Sequence, residues 1–357
     1  MSSIETGSPA VAAAPAFASG SPNARGLALA LGGLAALVLF VGVPLVGDDY
    51  WLNAILIPFL VMTLASIGLN LLMGYAGQAS LGTGAFMATG AYATYNLLLR
   101  LPDLPLPVSL VLGGLLSGLV GVVVGLPSLR IKGFYLLATT LAAQFLLTWI
   151  FNQYGWFSNY SSSSSISAPR LEIAGHDLSS PAGRYLLTLT SVVVIATIAA
   201  KLVRSETGRT WMAIRDMDTA AAVIGVPVAR GKLSAFFVGG FVCGIAGALW
   251  AFAYLGTVDA GSFNLDRSFQ VMFIIIIGGL GSLVGSVIGA AFIVLLPILI
   301  DRVAGGLLGG AIDAGQLENF QKVLFGALII WFLIKEPRGL AELLARAVRW
   351  LRSPARS

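Results

Sequence analysis

Residues that could do acid-base, nucleophilic or metal chemistry are scarce in this chain. It contains one histidine, His176, and one cysteine, Cys243. His176 stands beside Asp177 in a polar stretch without another histidine or cysteine, whereas a zinc site needs three or four protein ligands. Cys243 lies in an apolar segment and has no partner for an intrachain disulfide. We therefore interpret His176 as a solvated loop residue and Cys243 as a packing residue, and we predict no metal and no catalytic site.

Two glycine-rich stretches resemble nucleotide-binding motifs only superficially. From Gly225 to Leu233 the glycines are separated by five residues where a P-loop has four, and Leu233 stands where the magnesium-binding Ser or Thr belongs. The stretch from Gly278 to Gly285 lacks the dinucleotide spacing and a βαβ context. We predict that this chain binds no cofactor, so that any ATP and magnesium must bind to a separate subunit.

The composition is that of a membrane protein. Hydrophobic residues make up 57% of the 357 residues, charged residues only 10%, and the mean hydropathy is +0.90. Soluble domains carry about 25% charged residues, so this chain cannot cover a water-facing surface. Apolar runs such as SVVVIATIAA do not alternate in polarity as the strands of a membrane barrel do. We predict an all-α, polytopic helical protein that lies in a lipid bilayer.

Ten apolar segments are candidate membrane spans, although several are shorter than the ~20 residues that cross a bilayer. They cover about residues 27–46, 52–72, 79–99, 106–126, 134–151, 185–203, 233–256, 268–281, 284–300 and 320–335. With both termini inside, 15 of the 21 lysines and arginines fall on the cytoplasmic side, as the positive-inside rule requires. Nine spans would place only 9 of these 21 residues inside. We therefore predict about ten transmembrane helices in a bacterial inner (plasma) membrane, and the basic charge does not require a nucleic-acid partner.

These spans contain no Asp, Glu, Arg or His, and their three lysines, Lys201, Lys322 and Lys335, lie at or near span ends rather than in the membrane interior. Ion-coupled carriers usually place such groups in the membrane interior, and a membrane enzyme needs polar groups that converge within the spans. An enzyme is therefore disfavoured. A stand-alone secondary transporter or channel for a small polar solute stays open as an alternative to the function considered below.

The spans divide the chain into a membrane domain with two polar ends. Residues 1–26 lack the basic and apolar regions of a secretory signal and are predicted to be a disordered cytoplasmic tail. The membrane domain covers 27–335, with an external loop at 152–184 and a cytoplasmic segment at 204–232. Residues 336–357 form a basic cytoplasmic tail.

Small residues recur at every fourth position in four segments. Such a stripe lets helix backbones approach closely, which is what drives helix association in lipid. We therefore predict a compact bundle in which most glycines serve packing. The stripes are Ala76/Ser80/Gly84/Ala88, Gly113/Ser117/Gly121/Gly125, Gly240/Gly244/Ala248 and Gly281/Gly285/Gly289.

Two glycine-rich breaks interrupt the helical pattern. The first is predicted at Gly74 to Gly77, and the second lies in GGLGSLVGSVIGA. Non-helical backbone at membrane depth is tolerated only where protein or a water-filled cavity covers it. We predict that polar and glycine residues at the breaks lie near a translocation path, with helix packing as the rival role. They are Asn70, Gly77, Gln78, Ser80, Gly82, Gly279, Gly281 and Ser282.

The internal polar segment from Lys201 to Leu233 indicates a short amphipathic helix. Ser205 is predicted to cap it, and Gly225 followed by Pro227 is predicted to end it. Its apolar residues recur at roughly helical spacing. Two interpretations stay open, namely an interfacial helix on anionic headgroups and a docking surface for a cytoplasmic partner.

Five blocks of the sequence, in order between about Leu52 and Lys335, resemble the membrane permeases of LIV-type ABC importers, which take up branched-chain amino acids and related amides or carboxylates. Among these permeases the chain is similar to the M-type subunit, which has the GFYLLATTLA block, as opposed to its shorter partner permease. The blocks are GLNLLMGYAGQASLGTGAFMATGAY, GFYLLATTLAAQ, SETGRTWMAIRDMDTAAAVIGV, AFFVGGFVCGIAGALWAF and GGLGSLVGSVIGA.

The resemblance implies a complex with a second related permease subunit, two cytoplasmic ABC ATPase subunits and a periplasmic substrate-binding protein. ATP and magnesium would bind to the ATPases. A short cytoplasmic helix of such permeases fits a groove on the ATPase, and the block from Ser205 to Val226 matches that helix, with Thr219 where the general motif has Glu. The residues that the resemblance assigns to coupling are Ser205, Gly208, Arg209, Ala213, Arg215, Ala221 and Gly225.

The external loop departs from the family pattern. Many members have a Thr-Gly-Gly-rich segment after the GFYLLATTLA helix, and this chain has NYSSSSSISAPR there. The binding protein docks on that side and usually sets the choice of substrate. The sequence therefore leaves the substrate open among branched-chain amino acids and related small amino acids, amides or carboxylates.

Overall fold

The computed structural model describes residues 38–131, 133–161, 165–169, 171–173, 176–308, 323–324, 326–327, 330–331, 334 and 339–352. The chain divides into two units after Val46. In the first, a π-helical turn at Val38–Gly42 precedes an α-helical turn at Val43–Val46. The predicted tail 1–26 and most of the predicted spans 27–46 and 320–335 lie outside the described residues.

The second unit is almost entirely helical. Its helices are α1 (Trp51–Tyr75), α2 (Thr83–Arg100), α3 (Leu106–Gly125), α4 (Phe134–Gln153), α5 (Pro181–Arg204), α6 (Glu206–Val223), α7 (Val228–Leu255), α8 (Leu265–Gly278), α9 (Leu283–Leu308) and α10 (Gly339–Arg352). In the described part of the chain, six helices are long and apolar enough to cross a membrane: α1, α3, α4, α5, α7 and the Leu283–Ile300 part of α9. These helices confirm the all-α polytopic class.

Several predicted boundaries are corrected by the structure. Helix α2 begins only at Thr83, so Ala76 and Ser80 of the first predicted stripe lie outside any helix. Helix α7 already begins at Val228, so the last residues of the predicted cytoplasmic segment 204–232 are helical. Residues 154–180 connect α4 and α5 within the predicted external loop 152–184.

The core forms where α7 packs against α1, α2 and α3. In lipid this packing depends on close backbone approach rather than on the hydrophobic effect, and glycines provide it. A Cβ on Gly240 of α7 would lie 2.9 Å from the carbonyl oxygen of Ser117 in α3, and a Cβ on Gly90 of α2 would overlap the backbone of Gly244. On α1, Gly68 leaves room for the sulfur of Cys243. The predicted contact roles of Cys243 and of the stripes in α3 and α7 are thus confirmed.

Helices α8 and α9 form a second tight pair. A Cβ on Gly278 would overlap the carbonyl oxygen of Gly285, so the two backbones touch directly at the end of the hairpin. Helix α10 starts against the same turn, because a Cβ on Gly339 would lie 2.6 Å from the Cα of Gly279. The predicted basic tail therefore contains a helix whose first residue packs on the second glycine break.

Among the residues that the structure describes, four short strands pair in the loops between the helices. Strand β1 (Ser165–Ser167) pairs antiparallel with β4 (Thr257–Asp259), and β2 (Glu172–Ile173) pairs with β3 (His176–Asp177). The first pair connects the 154–180 loop to the segment that follows α7. Ser165, the last of the five consecutive serines in the external loop, is therefore part of a strand.

We expect Gly90→Ala to destabilise the protein, because the added methyl overlaps the Gly244 backbone and overpacking costs about 1–3 kcal/mol. Gly326→Ala is the matched control, since nothing lies within 4 Å of a Cβ at that position and alanine is the better helix former. The measurement is the melting temperature of each variant in detergent. A Gly90→Ala protein that melts no lower than the Gly326→Ala protein would contradict the proposed close packing.

Candidate functional site

The two glycine breaks lie against each other. The first spans residues 76–82 between α1 and α2, with Gly77 at φ +68°. The second spans 279–282 between α8 and α9, with Gly279 at φ +118° and Gly281 at φ +75°. Positive φ angles of this kind favour glycine, which has no Cβ. The sequence prediction that both stretches interrupt a helix is confirmed, although the first break starts slightly later than Gly74.

Asn70 joins the breaks through its side-chain amide. The residue is fully buried in the last, π-helical part of α1. Its Nδ2 donates to the carbonyl oxygen of Ser282 at 2.9 Å and to Oγ of Ser286 at 2.9 Å, and its Oδ1 accepts from the backbone N–H of Gly281 at 2.8 Å. One side chain thus bonds two backbone groups of the second break, of which the carbonyl group of Ser282 also accepts from the N–H of Ser286 at 3.1 Å. Asn70, Gly281 and Ser282, which were predicted together, are in direct contact.

The other predicted path residues on the first break make more local bonds. Nε2 of Gln78 donates to the carbonyl oxygen of Ala76, and Oγ of Ser80 accepts from the N–H of Gly82. Gly82 also packs on α4, because a Cβ there would lie 3.2 Å from the carbonyl oxygen of Thr140. Of these residues, Gly82 thus lies beside α4, whereas Gln78 and Ser80 bond within the break itself.

A buried polar cluster at the start of α2 was missed by the sequence analysis. Oε1 of Gln144 accepts from the N–H of Ala85 at 2.6 Å, and Oγ of Ser268 accepts from the N–H of Gly84 at 2.8 Å. Oγ1 of Thr140 accepts from the N–H of Leu81. These oxygens cap backbone donors that a helix start leaves unpaired. The four-residue spacing of Thr140 and Gln144 within an apolar helix was the available signal.

Helix α6, which covers most of the predicted coupling block, is fixed to the start of α7. Trp211 is fully buried and donates from Nε1 to Oγ of Ser234 at 3.0 Å. Ile214 is buried as well, and a Cβ on Gly231 would overlap its Cδ1. Because α7 occupies this apolar face of α6, the face is not available to lipid headgroups. The contact disfavours the interfacial-helix interpretation.

A buried ion pair adds a second link between the same helices. Lys232 in the first turn of α7 is only 4% exposed, and its Nζ lies 3.4 Å from Oδ2 of Asp218 on α6 and 3.3 Å from the carbonyl oxygen of Ser128. The sequence analysis had assigned Lys232 only to a cytoplasmic loop. Because a buried charge without its partner costs several kcal/mol, the pair ties the position of α6 to that of α7.

The predicted coupling residues occupy different environments in the structure. Ser205 stands at the start of α6, but its Oγ donates to the carbonyl oxygen of Leu202 at 2.6 Å and does not accept from a helix N–H, so the predicted capping bond is wrong. Gly208 is buried against Val203 of α5, and Ala221 is buried as well. Arg209 and Gly225 are exposed, and Ala213 is half-buried.

The end of α6 presents an apolar surface. The helix is kinked at Met217, where φ is −161° and ψ is 101°. Met217, Val223 and Ile224 have exposed fractions of 62%, 87% and 76%. Gly225, at φ +86°, then turns the chain, and nothing lies within 4 Å of a Cβ there. Large apolar side chains that are this exposed mark an interaction surface.

Arg215 connects α6 to the first break. Its Nη1 donates to the carbonyl oxygen of Gly74 at 3.0 Å, within the last turn of α1. A Cβ on Gly77 would lie 2.9 Å from Cγ of the same arginine. A residue predicted for coupling is thus in contact with a residue predicted for the path.

A family model described as the permease component of branched-chain amino acid transport systems matches residues 51–333. The chain belongs to this permease family. The match covers every helix from α1 to α9, including both breaks and α6. The protein is therefore a multi-pass membrane permease, as the sequence blocks had predicted.

The curated relatives of this permease include three LivM proteins. The high-affinity branched-chain amino acid transport system permease protein LivM of Salmonella typhimurium is 29% identical over 79% of this chain and 68% of its own length, and LivM of Escherichia coli gives the same values. The probable branched-chain amino acid transport permease protein LivM of Methanocaldococcus jannaschii is 22% identical over 81% and 92%. No solved structure matches the chain.

We expect Asn70→Asp to separate the two breaks of the permease. The carboxylate cannot donate to Ser282 or Ser286, and each buried group left unsatisfied costs about 1–3 kcal/mol. The measurements are the melting temperature in detergent and substrate uptake by cells. Asn53→Asp is the control, because Asn53 lies on the same helix and is only half-buried. Equal stability and uptake in the two variants would contradict the role of Asn70.

Proposed function

We propose that this chain is the membrane-spanning permease subunit of an ATP-driven ABC importer, with ATP hydrolysed on separate ATPase subunits. The observation that carries the proposal is the two-sided nature of α6. One face is buried on α7, whereas its end exposes Met217, Val223 and Ile224. A helix that is anchored internally and apolar externally suits docking into a groove of another protein.

The geometry also supports transmission of a force through α6. Trp211 and the Lys232–Asp218 pair join the helix to α7, the central helix of the bundle. A displacement of α6 by a closing ATPase would therefore move against the core and against the first break, rather than be lost in a flexible loop. The ATPase-coupling residues predicted from the sequence stay a proposal, within which Gly208 and Ala221 serve internal packing and Arg209 and Gly225 face outward.

The partners that we propose are a second related permease subunit, two cytoplasmic ABC ATPases that bind ATP and magnesium, and a periplasmic substrate-binding protein. The complex would lie in a bacterial inner membrane, with both termini of this chain in the cytoplasm. On the predicted external side, β1 and β4 pair the serine-rich loop with the segment after α7. This small sheet supports the loop as a platform on which a binding protein docks.

We further propose that the cargo is a branched-chain amino acid or a related small amino acid, amide or carboxylate. The names of the three LivM relatives support the branched-chain amino acids. The predicted path residues at the Asn70 contact belong to this proposal, since the two breaks bring irregular backbone together within the bundle. Such backbone is expected where it is covered by protein or lines a cavity.

Uptake should require ATP hydrolysis. When the chain is expressed with the ATPases, second permease and binding protein encoded beside it, cells should accumulate radiolabelled leucine, isoleucine or valine. Replacing the Walker lysine of the ATPases should remove accumulation, because the phosphates lose their cationic partner. Uptake that survives this replacement and follows an ion gradient would instead identify a secondary transporter.

Ile224→Asp should detach the ATPase subunits. The substitution places a charge on the most apolar part of the proposed docking surface, and the loss of an interface contact of this size costs about 2 kcal/mol or more. The measurement is the amount of ATPase that copurifies with the permease. Leu129→Asp makes the same change at an exposed leucine in another turn on the predicted cytoplasmic side. If both variants retain the ATPase, the docking surface is not on α6.

A further inference from the structure

We propose that the guanidinium of Arg215 is the link that carries a displacement of α6 to both helix breaks. The proposal rests on the proposed docking of an ATPase on α6 and adds the residue that passes the motion on. Arg215 lies two residues before the kink at Met217, between the buried Trp211 and the exposed apolar residues at the end of the helix. It is therefore well placed to respond when the end of the helix is moved.

The donors of Arg215 are divided between two partners. Nε and Nη2 donate to Oδ1 of Asp216 at 3.0 and 2.9 Å, whereas Nη1 donates to the carbonyl oxygen of Gly74 at 3.0 Å. Asp216 holds the plane of the guanidinium, so that the remaining nitrogen points to α1. The planar fork of arginine can serve both partners at once, and a lysine ammonium cannot reproduce that geometry.

The acceptor is well suited to a cation. Gly74 lies in the last turn of α1, where carbonyl groups have no partner within the helix and where the helix dipole favours positive charge. Its own position is closely confined, because a Cβ on Gly74 would overlap both Oδ1 of Asn70 and the backbone nitrogen of Gly281. A movement of the Gly74 carbonyl is therefore passed directly to the groups that join the two breaks.

Both breaks also touch Arg215 sterically. A Cβ on Gly77 would lie 2.9 Å from Cγ of Arg215 and 3.0 Å from its Cα, and a Cβ on Gly281 would lie 3.4 Å from its Nη1. Because glycine has no side chain, Arg215 lies directly against the backbone of both breaks at Gly77 and Gly281. Since the Asn70 amide binds the second break at Gly281 and Ser282, a displacement of one arginine reaches both breaks.

The test uses the whole importer, with the permease coexpressed with its ATPases, second permease and binding protein and reconstituted in liposomes. Arg215→Gln removes the charge and the fork, Arg215→Lys keeps only the charge, and Lys201→Gln removes an exposed cation from the end of α5 as the control. The readouts are the copurified ATPase, the basal and the substrate-stimulated rates of ATP hydrolysis, and uptake.

Arg215→Gln should copurify a normal amount of ATPase and keep its basal hydrolysis, while stimulation and uptake fall about tenfold or more, as expected for loss of a coupling contact. Arg215→Lys should fall between Gln and the unchanged protein, and Lys201→Gln should behave as the unchanged protein. A merely structural arginine would instead lower the melting temperature and the copurified ATPase together.

Two results would overturn the proposal. Stimulated hydrolysis and uptake that both stay within about twofold in Arg215→Gln would show that the contact transmits nothing, because loss of a coupling contact must lower at least one of these two rates. Loss of the copurified ATPase from Arg215→Gln would assign Arg215 to docking of the ATPase instead of to transmission. The proposal that the chain belongs to an ATP-driven importer would not be affected. Failure of the proposed function is separate, since it appears as uptake that survives replacement of the Walker lysine, whereas ATPase retained by Ile224→Asp would only place the docking surface elsewhere.

Discussion

Every backbone group within a membrane must find a hydrogen-bond partner, because hydrocarbon offers none and an unpaired group costs several kcal/mol. This constraint governs the centre of the permease. Two stretches of backbone leave helical geometry, and the amide of Asn70 pairs with one N–H and one carbonyl group of the second stretch. The second stretch is thus paired by a side chain of α1, whereas the end of the first stretch is paired by the hydroxyl groups of Thr140 and Ser80. Neither stretch can move far without exposing polar backbone.

The helices around these segments hold them in place mainly through contacts between uncharged groups. Helix α7 contacts α1, α2 and α3 through glycines, so that carbonyl groups and Cα atoms touch where side chains would otherwise keep the helices apart. The only buried lysine among the described residues, Lys232, pairs with Asp218 where α6 joins α7. The glycine contacts hold α7 rigidly against α1, α2 and α3, and the Lys232–Asp218 pair fixes α6 to α7. A displacement of α6 is therefore expected to act on this packed group of helices.

Much of this architecture follows from the sequence, since helix length and apolar composition are local properties. The apolar segments, the two breaks and the contact stripes of α3 and α7 could all be predicted. The start of α2 at Thr83 could not, because the residues from Ala76 to Gly82 are as small and uncharged as the helix that follows. The first turn of α2 depends on oxygens of Gln144 and Ser268, which lie far away in the sequence and accept from the N–H groups of Ala85 and Gly84.

Three further residues make contacts that their sequence pattern did not indicate. Ser205 matches a capping pattern, but the nearby end of α5 offers a carbonyl group that its hydroxyl takes instead. Lys232 looks like a loop cation until α6 is folded back onto α7, which brings Asp218 to it. For Arg215, the sequence indicated coupling, whereas its acceptor on α1 lies 141 positions away along the chain. Pairing with residues distant along the chain decided the contacts of Lys232 and Arg215, whereas Ser205 bonds a carbonyl group only three positions away.

The bond from Arg215 to Gly74 ends on a main-chain oxygen, and this has a consequence for how such proteins diverge. Any residue at position 74 would carry the same carbonyl group, so no exchange of side chains there can restore the bond once the arginine is lost. A compensating pair of substitutions therefore cannot arise, and correlated changes between homologous sequences would leave this contact invisible. The arginine and the shape of the backbone would have to be inherited together.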